Sequence, residues 1–338
     1  MPSSLKFESK DHPMDQQVWT HQRMLNELVP DAKKSLLTME WSLAGYSKSA
    51  LRTGFRMGPF NLDAGHSVFG KWNACLISHG HADHIFSLAS LFLVELSEPT
   101  VVMAPKTEQI KRIAEATLQS NYNDPKYRVR TDTSISSRFI DAVPGLVTSI
   151  QIGKDNFTVR VLEMDHSIPT AGYCVSRATS RLNPELQPYK DSLDPPAFAS
   201  LMKCLKGKKP LPSHLKGLVN EPLPENITVE LWHPQFCFLT DTSIKGIINN
   251  IDIIKEYPII IVECTFYDQD DIDHAVKKKH IHWNQLEPFI RIYSDSLWIL
   301  VHSSTRYKDQ GEIIAAIHSN PLPAGQKHYV PSNCIIWI

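Results

Sequence analysis

The segment His79-Gly80-His81-Ala82-Asp83-His84 gathers three imidazoles and a carboxylate directly after the apolar run Ala74-Cys75-Leu76-Ile77-Ser78. Such a run of β-compatible side chains reads as a short buried strand. Gly80 permits a sharp turn at its end, and Ile85, Leu88, Ala89 and Phe92 then recur at helical spacing. His79 and His81 are therefore expected on a strand-to-helix loop, pointing the same way, with Asp83 and His84 opening the helix. Imidazoles and carboxylates packed this closely are costly to desolvate without a cation between them. Neutral imidazole with carboxylate suits zinc, manganese or iron. The alternating histidines and the Asp-His pair make two adjacent ligand sets.

The 338 residues, 42% of them hydrophobic and 21% charged, suffice for one large domain or two modest ones. No stretch approaches the roughly 18 uninterrupted apolar residues that a bilayer span needs. The segment Met1 to Glu8 lacks a secretory apolar region. An intracellular, cytoplasmic protein without a membrane partner is the expectation. Cys75, Cys174, Cys204, Cys237, Cys264 and Cys334 are scattered, form no CxxC pair and read as reduced core thiols. A net charge of -1 and a pI near 6.9 argue against a chain built wholesale for nucleic acid, while leaving room for a local basic patch.

Residues 1–40 stand apart. Asp11 before Pro13 marks a helix start, and Val18, Leu25, Leu28 and Val29 give an apolar stripe ending at Pro30, so a helical extension packed on the body is expected. From Trp41 onward strand patterns dominate, at Thr100 to Ala104, Phe157 to Met164, Tyr173 to Ser176, Ile227 to Trp232, Gln235 to Thr240, Pro258 to Glu263 and Leu297 to His302. Helical patterns lie between them at Thr107 to Ser120, Ile244 to Glu256, Trp283 to Tyr293 and Asp309 to His318. This alternation predicts an α/β layered fold over residues 41–338, with sheets inside and helices outside.

Three further strands end in metal-ligand chemistry. Phe157 to Met164 runs into Asp165-His166-Ser167-Ile168-Pro169, Gln235 to Thr240 into Asp241-Thr242, and Leu297 to Val301 into His302-Ser303-Ser304. A lone His or Asp at a strand end is usually a turn or cap residue. In this order, and with the histidine motif upstream, they read as a converging ligand set.

These segments, together with Asn61-Leu62-Asp63-Ala64-Gly65, Glu263-Cys264-Thr265-Phe266, Lys279-His280-Ile281-His282 and Val301-His302-Ser303-Ser304-Thr305-Arg306-Tyr307, resemble the metallo-β-lactamase superfamily. Among its branches the resemblance is closest to tRNase Z, the 3′-tRNA processing endonuclease. It implies a four-layer αββα sandwich with an inserted arm. It further implies two divalent ions, zinc or else manganese, held by His79, His81 and His166 on one side and by Asp83, His84 and His302 on the other, with Asp241 bridging. The implied chemistry is phosphodiester cleavage by a hydroxide shared between the two ions. Asp83 would help to position the attacking water. His280 matches the family's general acid, and His282 is its rival, because Ile281 and His282 replace the small hydroxyl residues usual there. Arg306 stands where the family places a phosphate contact, though a surface salt bridge would equally explain it.

Between about residues 178 and 226 the strand pattern gives way to many prolines and a basic run, Lys203, Lys206, Lys208 and Lys209, with Lys216 nearby. An insertion of this length is usually functional or disordered. By the resemblance it corresponds to the arm that grips the tRNA body, its lysines contacting backbone phosphates. Precursor tRNA is the implied partner, and many relatives form homodimers. The same scaffold also serves hydrolases of β-lactams, aryl sulfates and cyclic nucleotides. An inactive scaffold would have lost a ligand, whereas every ligand position is filled.

Overall fold

In the computed structural model, which describes residues 22–66, 74–89, 101–121, 139–220, 222–320 and 329–337, two seven-stranded sheets are assembled in strict chain order. The first contains β1 (Arg23–Met24), β2 (Ser42–Lys48), β3 (Arg52–Met57), β4 (Phe60–Leu62), β5 (Ala74–Leu76), β6 (Val101–Ala104) and β7 (Phe139–Asp141). The second contains β8 (Val147–Ile152), β9 (Asp155–Met164), β10 (Thr170–Leu182), β11 (Thr228–Leu239), β12 (Ile259–Glu263), β13 (Leu297–Val301) and β14 (Cys334–Ile336). Each sheet changes from antiparallel pairing early in the chain to parallel pairing later: β1 to β4 are antiparallel and β4 to β7 parallel, while β8 pairs antiparallel with β9 and β11 to β14 are parallel.

Side-chain alternation explains the layering. Phe236 and Phe238 of β11, Ile259 and Ile261 of β12, and Ile299 and Val301 of β13 share one core with Phe55, Phe60, Leu62 and Leu76 of the first sheet. The intervening Cys237, Leu239, Ile260, Val262, Trp298 and Leu300 point to the opposite face. There they meet Ile247, Leu286, Ile290, Ile313 and Ile317 from the helices Ile244–Ile254, Trp283–Ile292 and Gln310–Ser319. On the far side of the first sheet, Cys75, Ile77 and Val102 pack with Ile110 and Ala114 of the helix Thr107–Asn121. Helix, sheet, sheet and helix therefore stack as the expected αββα sandwich. The parallel strands are apolar on both faces because both are covered. Edge-to-face aromatics fill the inter-sheet layer, with Trp41 against Phe236 at 5.1 Å and Phe60 against Phe157 at 5.1 Å between ring centroids.

The N-terminal expectation needs correction where it can be seen. Most of the helix expected from Asp11 lies outside the described residues, but its end does not continue as helix. Arg23–Met24 is a strand paired with β2, Leu25 donates its amide to the Trp41 carbonyl at 2.8 Å, and turns follow to Val29. Leu25 and Val29 are buried in the inter-sheet core, so a turn, rather than a long helix, satisfies their spacing. The helical residues here are Asp31–Lys34. The two strands expected at 227–232 and 235–240 are one, β11, which carries Pro234 within it.

The chain divides into two compact units, residues 1–176 with 234–338 and residues 177–233. The second unit has a small core of its own, in which Leu201, Leu215 and Val219 are buried with Phe198 and Leu205 against them. Its helix Pro195–Lys206 starts with the Asp194 side chain accepting the Ala197 amide proton at 2.7 Å, as an N-cap should.

Candidate metal centre

The residues of the site follow the C-terminal ends of strands, except Asp83 and His84, which lie in the short helix Ala82–Ile85 just beyond β5. Asp63 follows β4, His79 and His81 follow β5, His166 follows β9, Asp241 follows β11 and His302 follows β13. In α/β sheets this is where loops converge on ligands. Asp63, Asp241 and His302 have φ of 57°, 50° and 65°, the left-handed region. Non-glycine residues held there cluster at functional sites, where the surroundings over-determine an unfavourable backbone.

The seven residues proposed as ligands come together in two groups. His79, His81, His166 and Asp241 form one, and Asp83, His84 and His302 the other, with the ligand atoms in each within 4.8 Å of one another. Asp241 lies between them. Its Oδ2 is 3.6 Å from His79 Nε2 and 3.8 Å from His166 Nε2, while its Oδ1 is 3.3 Å from His84 Nε2 and 3.2 Å from His302 Nε2. Asp83 Oδ2 stands 3.5 Å from His84 Nε2 and 3.6 Å from His302 Nε2.

The donor set fits divalent cations on an internal criterion. His84 Nε2, His166 Nε2, His302 Nε2 and Asp241 Oδ1 are buried and make no hydrogen bond. Orphaned polar atoms of this kind are rare and costly. Three such nitrogens converging on one carboxylate whose own Oδ1 is orphaned are accounted for by cations among them. Nitrogen and carboxylate oxygen ligands of this type suit zinc and manganese.

A second layer of hydrogen bonds aims the ligands. Asp63 is buried, accepts from the Ser78 amide at 2.6 Å and hydroxyl at 2.9 Å, and receives the His84 Nδ1 proton at 2.7 Å, which leaves His84 Nε2 directed at the centre. The Thr240 hydroxyl also donates to Asp63, at 3.2 Å. Thr265 performs the same service for His302: it donates to Glu263 at 2.6 Å and so accepts from His302 Nδ1 at 3.1 Å. His166 Nδ1 faces the Lys279 carbonyl at 3.4 Å, and Lys279 Nζ donates to Asp165 Oδ1 at 2.7 Å and to the His166 carbonyl at 3.1 Å. This clasp ties the loop carrying His166 to the one carrying His280. Such outer partners fix tautomer and ring orientation.

Burial and the neighbouring charges set the protonation preference of each residue in the cluster. Burial and the neighbouring His84 keep His79 well below the usual histidine range, hence neutral. Burial likewise lowers His166. For His84 burial also opposes protonation, but the Asp241 and Asp63 carboxylates outweigh it and raise the ring well above its ordinary value. Burial would raise Asp241, yet His302, His84 and His79 hold it well below the carboxylate range. Asp83 is similarly depressed against burial by His302 and His84.

Of the two general-acid candidates, only His280 lines the cavity beside the ligands. Its Nδ1 donates to Glu263 at 3.0 Å, leaving Nε2 as the other ring donor. Burial lowers it, but Glu263 prevails and raises it to about 9. His282 is fully buried with both ring nitrogens in use: Nε2 donates to the Asp268 carbonyl at 2.7 Å, and Nδ1 accepts the Asn284 amide proton at 3.1 Å, capping the helix Trp283–Ile292. Arg306 is not among the residues lining the cavity. Its guanidinium is engaged by Asp271 and sits 5.5 Å from the Phe266 ring centroid, the salt-bridge alternative from the sequence. Lys203, Lys206, Lys208 and Lys209 are exposed in the second unit.

Sequence reasoning assigned no role to Asp63, Glu263, Thr265 or Lys277–Lys279. Asp63 and Glu263 had a usable signal, an acidic residue ending an apolar strand, as at Asp241.

Gly65 fixes the position of the second group. A Cβ there would lie 1.6 Å from the Asp83 carbonyl oxygen and 2.8 Å from that of Thr53, both backbone atoms. Gly65→Ala is therefore expected to cost about 1–3 kcal/mol or more and to dislodge Asp83 and His84. Thermal unfolding combined with elemental analysis checks it: a lower Tm and loss of bound metal are expected.

The chain is 25% identical over 249 residues to the Ribonuclease Z of Alkaliphilus oremlandii (strain OhILAs), which covers 69% of this chain and 72% of that protein. It is 23% identical over 311 residues to the Ribonuclease Z of Staphylococcus carnosus (strain TM300), covering 87% of this chain and 92% of that one. The chain is similar to the ribonuclease Z-like branch of the metallo-β-lactamase superfamily. No family model matches this ribonuclease Z-like chain. Among solved structures it is similar to the human tRNase Z short form, at 15% identity and a TM-score of 0.44, covering 78% of this chain and 92% of that one. Among the described residues, no helix is long and apolar enough to cross a membrane.

Proposed function

We propose that this metal-dependent hydrolase of the ribonuclease Z type cleaves phosphodiester bonds in RNA, and that its substrate is precursor tRNA, from which it removes the 3′ trailer. The observation that carries the reading is Asp241, one buried carboxylate divided between two histidine sets at 3.2 to 3.8 Å. The curated relatives named Ribonuclease Z support it.

His79, His81 and His166 would hold one ion and Asp83, His84 and His302 the other, with Asp241 between them. Two bound divalent ions, zinc or manganese, supply charge for the phosphoryl oxygens and lower the pKa of water. The Asp83 carboxylate, fixed by the Ala50 amide at 3.0 Å, orients the attacking water. As the new phosphorus–oxygen bond forms, the bond to the leaving oxygen breaks. His280 gives that oxygen its Nε2 proton while Nδ1–H stays on Glu263. The exposed Lys203, Lys206, Lys208 and Lys209 are read as contacts to the tRNA backbone, through charge and without base specificity.

The test is incubation of zinc- or manganese-loaded protein with a 3′-extended precursor tRNA. Cleavage at the trailer junction that chelation abolishes is expected. An intact precursor alongside hydrolysis of a chromogenic β-lactam, aryl sulfate or cyclic nucleotide would overturn the substrate assignment.

A further inference from the structure

The cavity that opens onto the ligands, about 400 Å³ in volume, has a cationic wall that the metal centre does not use: Lys277, Lys278 and Lys279 line it together with His166, His280 and His302. Lys277 and Lys278 close the helix Ile272–Lys278, and Lys279 follows with φ of 57°, turning the chain into His280.

The three lysines divide by what they touch. Lys279 is committed to Asp165 and to the His166 carbonyl, so its charge is neutralised and its work is to hold two loops together. Lys277 and Lys278 are exposed, and neither has an ion-pair partner among the described residues. Lysines in a last helical turn complement the helix dipole wherever they occur. That ordinary role does not require the two lysines to line the same cavity as the candidate metal ligands His81, Asp83, His166, Asp241 and His302. A chain of net charge -1 has no general excess of cations to distribute there.

We infer that Lys277 and Lys278 bind the phosphates adjacent to the scissile one, making the site selective for an extended polyanionic strand over a single small diester. The inference rests on the phosphodiesterase reading above and deepens it. A compact ammonium on a flexible stem grips phosphate as a point charge, without base preference, which suits the flanking backbone of a single-stranded trailer. Small substrates that occupy only the metal centre present no such phosphates, so the lysines contribute binding energy only when the strand continues.

The experiment uses full-length, metal-loaded protein and a short single-stranded oligoribonucleotide. KM and kcat are measured across a potassium chloride series for the wild type, for Lys277→Gln with Lys278→Gln, and for Lys277→Arg with Lys278→Arg. The glutamine pair is expected to raise KM roughly 3- to 10-fold, with the larger effect on KM than on kcat. It should reduce the slope of log affinity against log salt by about 1.4, the loss of two single-strand phosphate contacts. The arginine pair should retain the wild-type slope. A glutamine pair with wild-type KM and salt slope would overturn the inference. Bis(p-nitrophenyl) phosphate, assayed with the wild type, separates the two levels of failure. Wild-type protein that hydrolyses it but leaves the oligoribonucleotide intact overturns the inference alone; protein inert on both overturns the phosphodiesterase reading and the inference with it.

Discussion

Asp241→Asn is expected to lower phosphodiester hydrolysis by well over about 100-fold, beyond the usual upper range for loss of an outer-shell partner of a metal ligand. Asparagine is the informative replacement because, like aspartate, it tolerates the left-handed backbone that position 241 adopts at φ of 50°. The variant keeps shape and removes charge. The Asp241 carboxylate of the wild type faces four imidazole nitrogens at 3.2 to 3.8 Å, so in the variant both ligand groups lose their shared anion at once. His84, held above its ordinary pKa partly by Asp241, is also expected to titrate lower in the variant. Turnover and bound metal, measured on the same sample, should fall together while the fold persists by circular dichroism. Activity retained at more than a few per cent would mean that Asp241 does not link the two groups.

The second large effect concerns His280 and the carboxylate behind it. His280→Ala should lower kcat by about 10²- to 10⁴-fold, the range for loss of a positioned general acid, with little change in metal content. Glu263→Gln tests the same assignment through pH. Glu263 raises His280 to about 9 against the opposing effect of burial. A general acid acts only while protonated, so activity is present below that value and is lost as pH rises through it. Removing the Glu263 charge leaves burial less opposed, and the alkaline limb of the kcat profile should move toward neutrality by at least about 1 pH unit. An unmoved limb would assign the proton to another group. Glu263 also accepts from Thr265, which orients His302, so some loss of metal affinity is expected as well.

How far the sequence led is seen best by comparing particular residues. His79, His81, Asp83 and His84 were legible because their spacing is local: one strand, one turn and the start of a helix bring them together without help from the rest of the fold. His166, Asp241 and His302 were legible because each follows an apolar strand, and the ends of such strands lie together in a layered sheet. Asp63 and Glu263 carry the same signature, yet their partners, Ser78, His84, Thr242 and His280, lie far away in sequence and become apparent only once the sheets are stacked. The distinction between His280 and His282 was likewise closed to composition, since it depends on which ring is spent on a helix cap. Arg306 had two explanations in sequence; its ion pair with Asp271 is formed in the structure, and the phosphate contact stands as a proposal. The N-terminal stripe misled for a related reason. Leu25, Leu28 and Val29 fit a helical period, but a turn that plugs Leu25 and Val29 into the inter-sheet core meets the same spacing.

The two converging groups of histidine and aspartate are expected to hold two divalent ions, linked through Asp241. Native mass spectrometry of the protein after dialysis against zinc, and separately against manganese, tests it most directly. Two ions per chain are predicted for the wild type, with fewer in Asp241→Asn. A wild-type chain that takes up a single ion, or none, would contradict the account.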